Sequence, residues 1–481
     1  MIINPETKVG NNQLTVFRAS PKEWVIALLF LVSLSLVGLG LYVFYVPVFF
    51  LLIDRYLRNR EEFVVEIFIL ATYSGFITDS QFPVKWCDIL LIISVVILVA
   101  FHFSRRLEIL NVSIIIFILA IILIALLSHE PFLSQVRMMR YYFLIIVYLV
   151  PFLLLKGCPN GLMNVGKYLI LYSIIISAFY VLDGFVLNGM VLVPNTPVNG
   201  ETGISKWNDL YWAPFSTFFP RKYPQGLYIL FPTVFYLARF YKLHLVYWFI
   251  IAGAMIASRT MTVIVALAVT LLLSIPDKKK ILKLTGSICV LMLCLYFVDR
   301  ETNGFLRISS TMNQFAELPQ AIESQDVEMM SDFASGRIAQ AFPKWEQLVY
   351  SNKVLTGFGF IHPDNSNRVD LLFRNTLYSD QSRGAAIELP VDVEITQFQT
   401  VLNIGIIGLL LQIAFFTFIA IWVYRHNRRN SVLFIAVLFG VSIAGLGGFV
   451  GLTTPFTMWL SLSLALALLP VGKTGELHKT I

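Results

Sequence analysis

The sequence predicts an all-α polytopic membrane protein, with about 14 transmembrane helices (12–14) and two long extracytoplasmic loops. Three observations lead there. The 481-residue chain is 57% hydrophobic and only 14% charged, whereas soluble domains carry roughly a quarter charged residues. Apolar runs near the ~20 residues that cross hydrocarbon as a helix recur along its length. Runs such as Ile114-Ile115-Ile116-Phe117-Ile118-Leu119-Ala120-Ile121-Ile122-Leu123 lack the apolar–polar alternation that a transmembrane barrel strand requires.

Residues 1–22 form a polar tail without an apolar signal core, so the first apolar run is expected to be a retained anchor. The predicted spans follow at 24–38, 40–54, 62–78, 86–103, 108–128, 137–155, 166–189, 224–241, 244–258, 260–276, 281–299, 394–424, 431–449 and 455–470. The first two adjoin at Gly38-Leu39-Gly40 and read either as two helices or as one bent element. In domain terms, the cytoplasmic tail (1–22) leads into a first group of transmembrane helices (23–189) and a first long outer loop (190–223). Central helices (224–299), a large outer loop domain (300–393), C-terminal helices (394–470) and a short cytoplasmic tail (471–481) complete the chain.

Positive charge orients these spans. The basic loops contain Arg55, Arg58 and Arg60; Arg105-Arg106; Lys156 with Lys167; Arg239 with Lys242; Lys278-Lys279-Lys280 with Lys283; and Arg425 with Arg428-Arg429. With fourteen spans and both termini cytoplasmic, all fall on one side. Topology therefore accounts for most of the net charge of +7, and nucleic acid is not an expected partner. Of the four cysteines, Cys289 and Cys294 share one apolar run, while Cys87 and Cys158 sit at span ends on opposite sides. This predicts no disulfide framework.

The long loops carry the outer polar mass. In the second, residues 335–350 space Ile338, Phe342, Trp345, Leu348 and Val349 as the apolar face of an amphipathic helix. Such a helix lies along the bilayer surface or packs on the loop's own residues. Within the spans, Glu66 and Asp183 are the clearest ionisable groups. Charges there are costly and mark function, or else a helix-end or interhelical hydrogen bond.

Basic residues on the outer side run against the positive-inside bias and so call for a reason. They are Arg137 and Arg140 in a short loop, Arg221 and Lys222 ending the first long loop, Arg259 in a tight turn, and Arg337 opening the amphipathic segment. A guanidinium holds phosphate oxygens bidentately, which suits a lipid-linked diphosphate at the outer boundary. Snorkelling to headgroups or pairing with loop carboxylates is the alternative. Candidate bases are Glu394, where the large loop re-enters the membrane, His362 and Asp392. His362 also reads as a plain surface residue. Asp392 and Glu394 have a spacing that binds a divalent ion but is common by chance, so no metal and no cofactor is expected. There is no phosphate-binding Walker loop, dinucleotide fingerprint, nucleophile elbow or zinc spacing.

Three local patterns combine with this layout. Ser258-Arg259-Thr260 leads into an apolar span. Ser335-Gly336-Arg337 is followed by Trp345 and then by Leu355-Thr356-Gly357-Phe358-Gly359. Glu394 to Leu409 ends Asn403-Ile404-Gly405-Ile406-Ile407-Gly408-Leu409. In their order and spacing, and in the placement of two outer loops, the chain resembles the O-antigen polymerase and O-antigen ligase superfamily of bacterial envelope glycan enzymes.

The resemblance implies an inverting, metal-independent glycosyl transfer on the periplasmic face of the bacterial cytoplasmic (inner) membrane. The donor would be an oligosaccharide on a polyprenyl diphosphate and the acceptor a glycan, with a flippase and a chain-length regulator as further partners. Ligases of this superfamily place a histidine near the start of the third pattern. Glu394 stands there instead, which favours a repeat-unit polymerase over a ligase. Arg259 and Arg337 are the expected diphosphate clamp, Arg221 helps position donor or acceptor, and Glu394 is the expected base. Trp207, Tyr211, Trp212 and Phe215 either stack on sugar rings or form an interfacial belt. A polysaccharide-related transporter is the alternative from another class.

Two substitutions test these roles. Arg259→Lys and Arg337→Lys are each expected to lower transfer strongly, because an ammonium cannot replace the guanidinium fork; full activity would exclude the clamp. Glu394→Gln is expected to lose roughly 10²–10⁴-fold in turnover, and wild-type turnover would assign the base elsewhere.

Overall fold

The computed structural model describes residues 15–38, 41–74, 89–94, 96, 109–126, 161–182, 234, 237, 241–258, 278–301, 344–345, 348–360 and 396–426. Over these residues the protein is predominantly helical.

The first helix, α1 (Pro21–Gly38), opens on a reciprocal capping box. The Glu23 N–H donates to Ser20 Oγ at 3.3 Å and the Ser20 N–H donates to Glu23 Oε2 at 2.7 Å, with Pro21 at the first helical position where its missing N–H costs nothing. A 3₁₀ turn (Tyr42–Phe44) then leads into α2 (Tyr45–Arg58). The pair at Gly38–Gly40 is thus two helices packed on each other, not one bent element.

Asn59 both ends α2 and starts α3 (Arg60–Ser74). Its N–H donates to the Arg55 carbonyl at 2.7 Å, its carbonyl accepts from Phe63 N–H at 3.0 Å, and its side-chain Oδ1 accepts from Glu62 N–H at 3.2 Å. The next helices are α4 (Ile109–Leu126), α5 (Gly161–Val181), α6 (Leu245–Ser258), α7 (Lys278–Glu301) and α8 (Thr396–His426). Helices therefore occupy most of the described stretches that the apolar runs marked. The runs at 137–155, 260–276, 431–449 and 455–470 lie outside the described residues.

The core is centred on α3 and α5. Every residue from Glu62 to Leu70 is buried, as are nearly all from Val165 to Ser177. A helix covered on all sides is an inner helix; α2 packs on α3, α6 packs on α5, and α1 packs on both α2 and α5. Separately, α4 packs on α8, with Phe117 stacked on Phe415 at 4.3 Å between ring centroids.

On α4 the packed face carries Ile114, Phe117, Ile118 and Ile121. The exposed face carries Val112, Ile115, Ile116, Leu119, Leu123 and Leu126. An exposed face that is as apolar as the packed one has no driving force to face water. Among the described residues one helix, Gln397–Arg425, is long and apolar enough to cross a membrane. Shorter apolar helices run over Val112–Ile124, Asn164–Phe179 and Leu245–Ala254.

Distant segments meet at one end of this bundle. Thr15–Val16 (β1) pairs in parallel with Tyr241–Lys242 (β2), and Phe17 is buried edge-on against Tyr241 and Tyr247. Lys167 Nζ lies 2.7 Å from Glu23 Oε1, and Tyr168 Oη donates to the same oxygen at 2.9 Å. Asn59 Nδ2 in turn donates to Tyr168 Oη at 2.5 Å. The starts of α1, α3, α5 and α6 and the end of α2 thus share one side. These are the loops that positive charge assigned to a common side.

Burial alone would push the Glu23 carboxyl up. The Lys167 ammonium, the Ser20 N–H and the Tyr168 hydroxyl outweigh it and hold Glu23 below its ordinary value of 4.5. A carboxyl depressed by folding contributes stability that is present above the unfolded value and lost as pH falls through the folded one. Glu23→Gln is therefore expected to lower the melting temperature near neutral pH. The gap from wild type should close as pH falls below 4.5, read by thermal unfolding in detergent across pH 7 to 3.

Candidate functional site

Two of the three sequence patterns described above come together in space. The helix α8 is broken at Gly405, whose φ of 68° and ψ of −176° lie in a region essentially reserved for glycine. Such a break strands carbonyls on the first half and N–H groups on the second. The loop 353–359 takes up both sets. Phe358 N–H donates to the Leu402 carbonyl at 2.8 Å and Gly359 N–H to the Asn403 carbonyl at 3.0 Å. In return, Ile406 N–H donates to the Val354 carbonyl at 3.0 Å and Ile407 N–H to the Leu355 carbonyl at 3.2 Å. The loop splints the break.

Glycine is required on both sides of this contact. A Cβ on Gly405 would sit 2.1 Å from the Leu355 carbonyl oxygen. One on Gly357, at φ +72°, would sit 2.6 Å from the Asn403 carbonyl carbon and the Gly405 nitrogen. These neighbours are backbone and cannot swing aside.

The loop is held in turn by the helical segment before it. Asn352 takes a left-handed φ of 53°, its N–H donates to the Val349 carbonyl at 3.1 Å, and Lys353 N–H reaches back to the Leu348 carbonyl at 2.9 Å. These two bonds form a Schellman motif, which ends a helix by occupying its last carbonyls. Leu348 is buried against Val401 and Leu402, with Val354, Phe358, Phe398, Ile406 and Leu409 around them.

The described end of the amphipathic segment therefore packs on α8. Trp345 lies 6.4 Å from Phe398 between ring centroids, while Val349 and Tyr350 are exposed. The expected face is narrower than its spacing implied, because Val349 stands off it. A polar strip, Gln399, Thr400 and Asn403, is buried along the first half of α8, with Gln399 Nε2 donating to Asn403 Oδ1 at 3.3 Å.

The candidate residues Arg137, Arg140, Arg221, Lys222, Arg259, Arg337, His362, Asp392 and Glu394 all lie outside the described residues, as does Asp183. In sequence, Glu394 comes two residues before α8. Among the described residues, no group of three or more His, Cys, Asp or Glu side chains is arranged to hold a metal ion.

Glu66 is described and faces the interior. It is fully buried on α3, and its Oε1 accepts from Tyr172 Oη on α5 at 2.8 Å. The interhelical hydrogen bond considered from the sequence is thus present. One turn earlier, Glu62 is also fully buried and accepts from Arg55 Nη1 at 2.9 Å and from Asn59 Nδ2 at 3.3 Å. Arg55 also binds Asp54, which holds Arg58 at 2.7 Å. Glu62 and Glu66 on α3 thus face Tyr168 and Tyr172 on α5, each pair four residues apart. Sequence reasoning used Arg55 only as a basic loop residue and did not single out Glu62, the first residue of the span predicted at 62–78. The matching four-residue spacings were the available signal.

The chain matches no protein-family model, and a search of curated proteins finds no significant match.

Substitution at the splint separates geometry from bulk. Gly405→Ala is expected to lower the melting temperature sharply, combining backbone strain of about 1–3 kcal/mol with loss of the loop contacts. Gly286→Ala is the control. Gly286 lies in α7 with nothing within 4 Å of an added Cβ, so it should be neutral or stabilising by about 0.5–1 kcal/mol. Equal melting temperatures for the two variants would exclude the splint.

Proposed function

We propose that the chain is a multi-pass glycosyltransferase of the bacterial inner membrane, polymerising polyprenyl-diphosphate-linked repeat units on the periplasmic face. The observation that carries this reading is the splint itself. Two sequence patterns that resemble those of O-antigen polymerases and ligases, separated by residues 360–393, are hydrogen-bonded to each other through glycines that tolerate no side chain. The first continues from the segment opened by Arg337, and the second begins at Glu394. In this reading the joined segments serve as the rigid support from which Arg337 and Glu394, each lying before one of them in sequence, are positioned.

In this reading, diphosphate is already a good leaving group, so the arginines Arg259 and Arg337 act by stabilising its developing charge. Arg221 and Lys222 assist in holding the donor, while Glu394 removes the proton of the acceptor hydroxyl. No metal takes part. The membrane assignment is supported by the apolar exposed face of α4, which suits lipid, and by the gathering of predicted cytoplasmic loops at one end. The about 14 spans, with both termini cytoplasmic, extend that pattern along the chain.

A transporter is the second reading, and the broken α8 favours it, since transporters bind ions at interrupted helices. Against it, the backbone groups freed at Gly405 are already occupied by the 353–359 loop. Residues 406–426 alone extend about 31 Å, enough for the ~30 Å hydrocarbon core. The break therefore falls near one end of a full-length span.

Deletion of the gene in its host, followed by a ladder-resolving gel of envelope glycans, tests the reading. A polymerase deletion leaves acceptors bearing a single repeat unit, restored to long ladders by wild type and not by Arg337→Ala. Bare acceptors with chains accumulating on the polyprenyl carrier would identify a ligase. An unchanged ladder would overturn both.

A further inference from the structure

Glu62 and Glu66 stand one turn apart on one face of α3, and neither is exposed. Each carboxyl is satisfied at one oxygen only. Glu62 Oε2 accepts from Arg55 Nη1 at 2.9 Å and from Asn59 Nδ2 at 3.3 Å, and Glu66 Oε1 accepts from Tyr172 Oη at 2.8 Å. Glu62 Oε1 and Glu66 Oε2 are buried without a hydrogen-bond partner. A buried oxygen left so is costly, and an ionised one more so. Residues four apart on a helix are neighbours, so both oxygens are within reach of one shared group.

The charges around the pair do not balance it. On α2, the buried Arg55 is shared between Glu62 and Asp54, and the exposed Arg58 also goes to Asp54. On α5, Lys167 is taken by Glu23 of α1, and Tyr168 Oη donates to that same carboxylate. Arg60 and Glu61 of α3 itself stand at its less buried opening turn. Glu66 receives the neutral hydroxyl of Tyr172, and among the described residues no cation pairs with it. An uncompensated carboxylate at such depth is neutralised by a proton.

We propose that Glu62 and Glu66 form a proton-binding site inside the helix bundle. Glu66 carries the proton on Oε2 and presents it to Glu62 Oε1, directly or through one water. The proton comes from water and adds to one carboxylate, and no other bond is made or broken. A metal ion is the poorer occupant, since two free oxygens supply only part of the about six that a hard cation gathers. The proton belongs to the pair rather than to either residue. Its loss leaves two anions one turn apart with one shared guanidinium, and like charges at that spacing repel. Occupancy is thereby coupled to the packing of α3 on α5, which Glu66 and Tyr172 join. This site is independent of the glycosyl-transfer reading.

The test is infrared difference spectroscopy on purified full-length protein in detergent at neutral pH. The wild type is expected to show a protonated-carboxyl band that Glu66→Gln removes in full. Tyr172→Phe takes one hydrogen bond from the acid and should move the band without removing it; Glu62→Gln, which alters the acceptor, should move it too. Glu66→Gln keeps the shape of a neutral acid and should melt with wild type. A wild-type spectrum in which Glu66→Gln removes only ionised-carboxylate bands overturns the inference. A band that neither Tyr172→Phe nor Glu62→Gln moves places the proton elsewhere and overturns it as well. If sodium in place of choline abolishes the band, or raises the melting temperature of wild type but not of Glu66→Gln, the occupant is a metal ion and the inference falls. Should Glu66→Gln not fold, the response of the band to Tyr172→Phe decides.

Discussion

An interrupted helix leaves backbone donors and acceptors that an apolar surrounding cannot satisfy, and the architecture around α8 follows from that constraint. Each such group left unmade costs on the order of 1–3 kcal/mol, so a break inside an otherwise apolar helix persists only with a dedicated partner. The 353–359 loop is that partner. Its fit demands glycine at 357 and 405, a left-handed Asn352 to aim the loop, and Leu348 to seat it. One irregular residue thus dictates the conformation of about a dozen others.

The same rule organises the opposite kind of problem in the α3–α5 core, where the polar groups are side chains. Glu62 is fully buried yet receives Arg55 and Asn59, and Glu66 receives Tyr172. Buried ion pairs of this type add little net stability, because desolvation offsets the attraction. Their effect is to define which helix faces meet. Arg55 comes from α2, Asn59 from the junction and Tyr172 from α5, so only one rotation of α3 satisfies them together.

Much of the helical architecture was legible in the sequence, because long apolar runs leave few alternatives to a helix. The capping box at Ser20–Glu23 has a local spacing signature that the sequence analysis did not draw on. The break at Gly405 was not, since an isolated glycine within a helical pattern is ordinarily tolerated without a break. Its partner lies in another part of the chain, and no local periodicity records that pairing. The cost of a charge in an apolar span singled out Glu66, whereas its inward orientation and its contact with Tyr172 depend on helix rotation that composition does not encode. Of the candidate site, the sequence singled out both segments that form the splint.

The pairing of Thr15–Val16 with Tyr241–Lys242 also carries a consequence for biosynthesis. The strand nearest the N-terminus leaves the ribosome first, but its partner follows only after several intervening helices. At ~5–20 residues per second, that delay is on the order of tens of seconds. During this interval Phe17 has neither Tyr241 nor Tyr247 to cover it, and the leading segment remains open to chaperones or proteases. Closure of this short parallel bridge is therefore a late assembly event, and it reports that α6 has arrived beside α1.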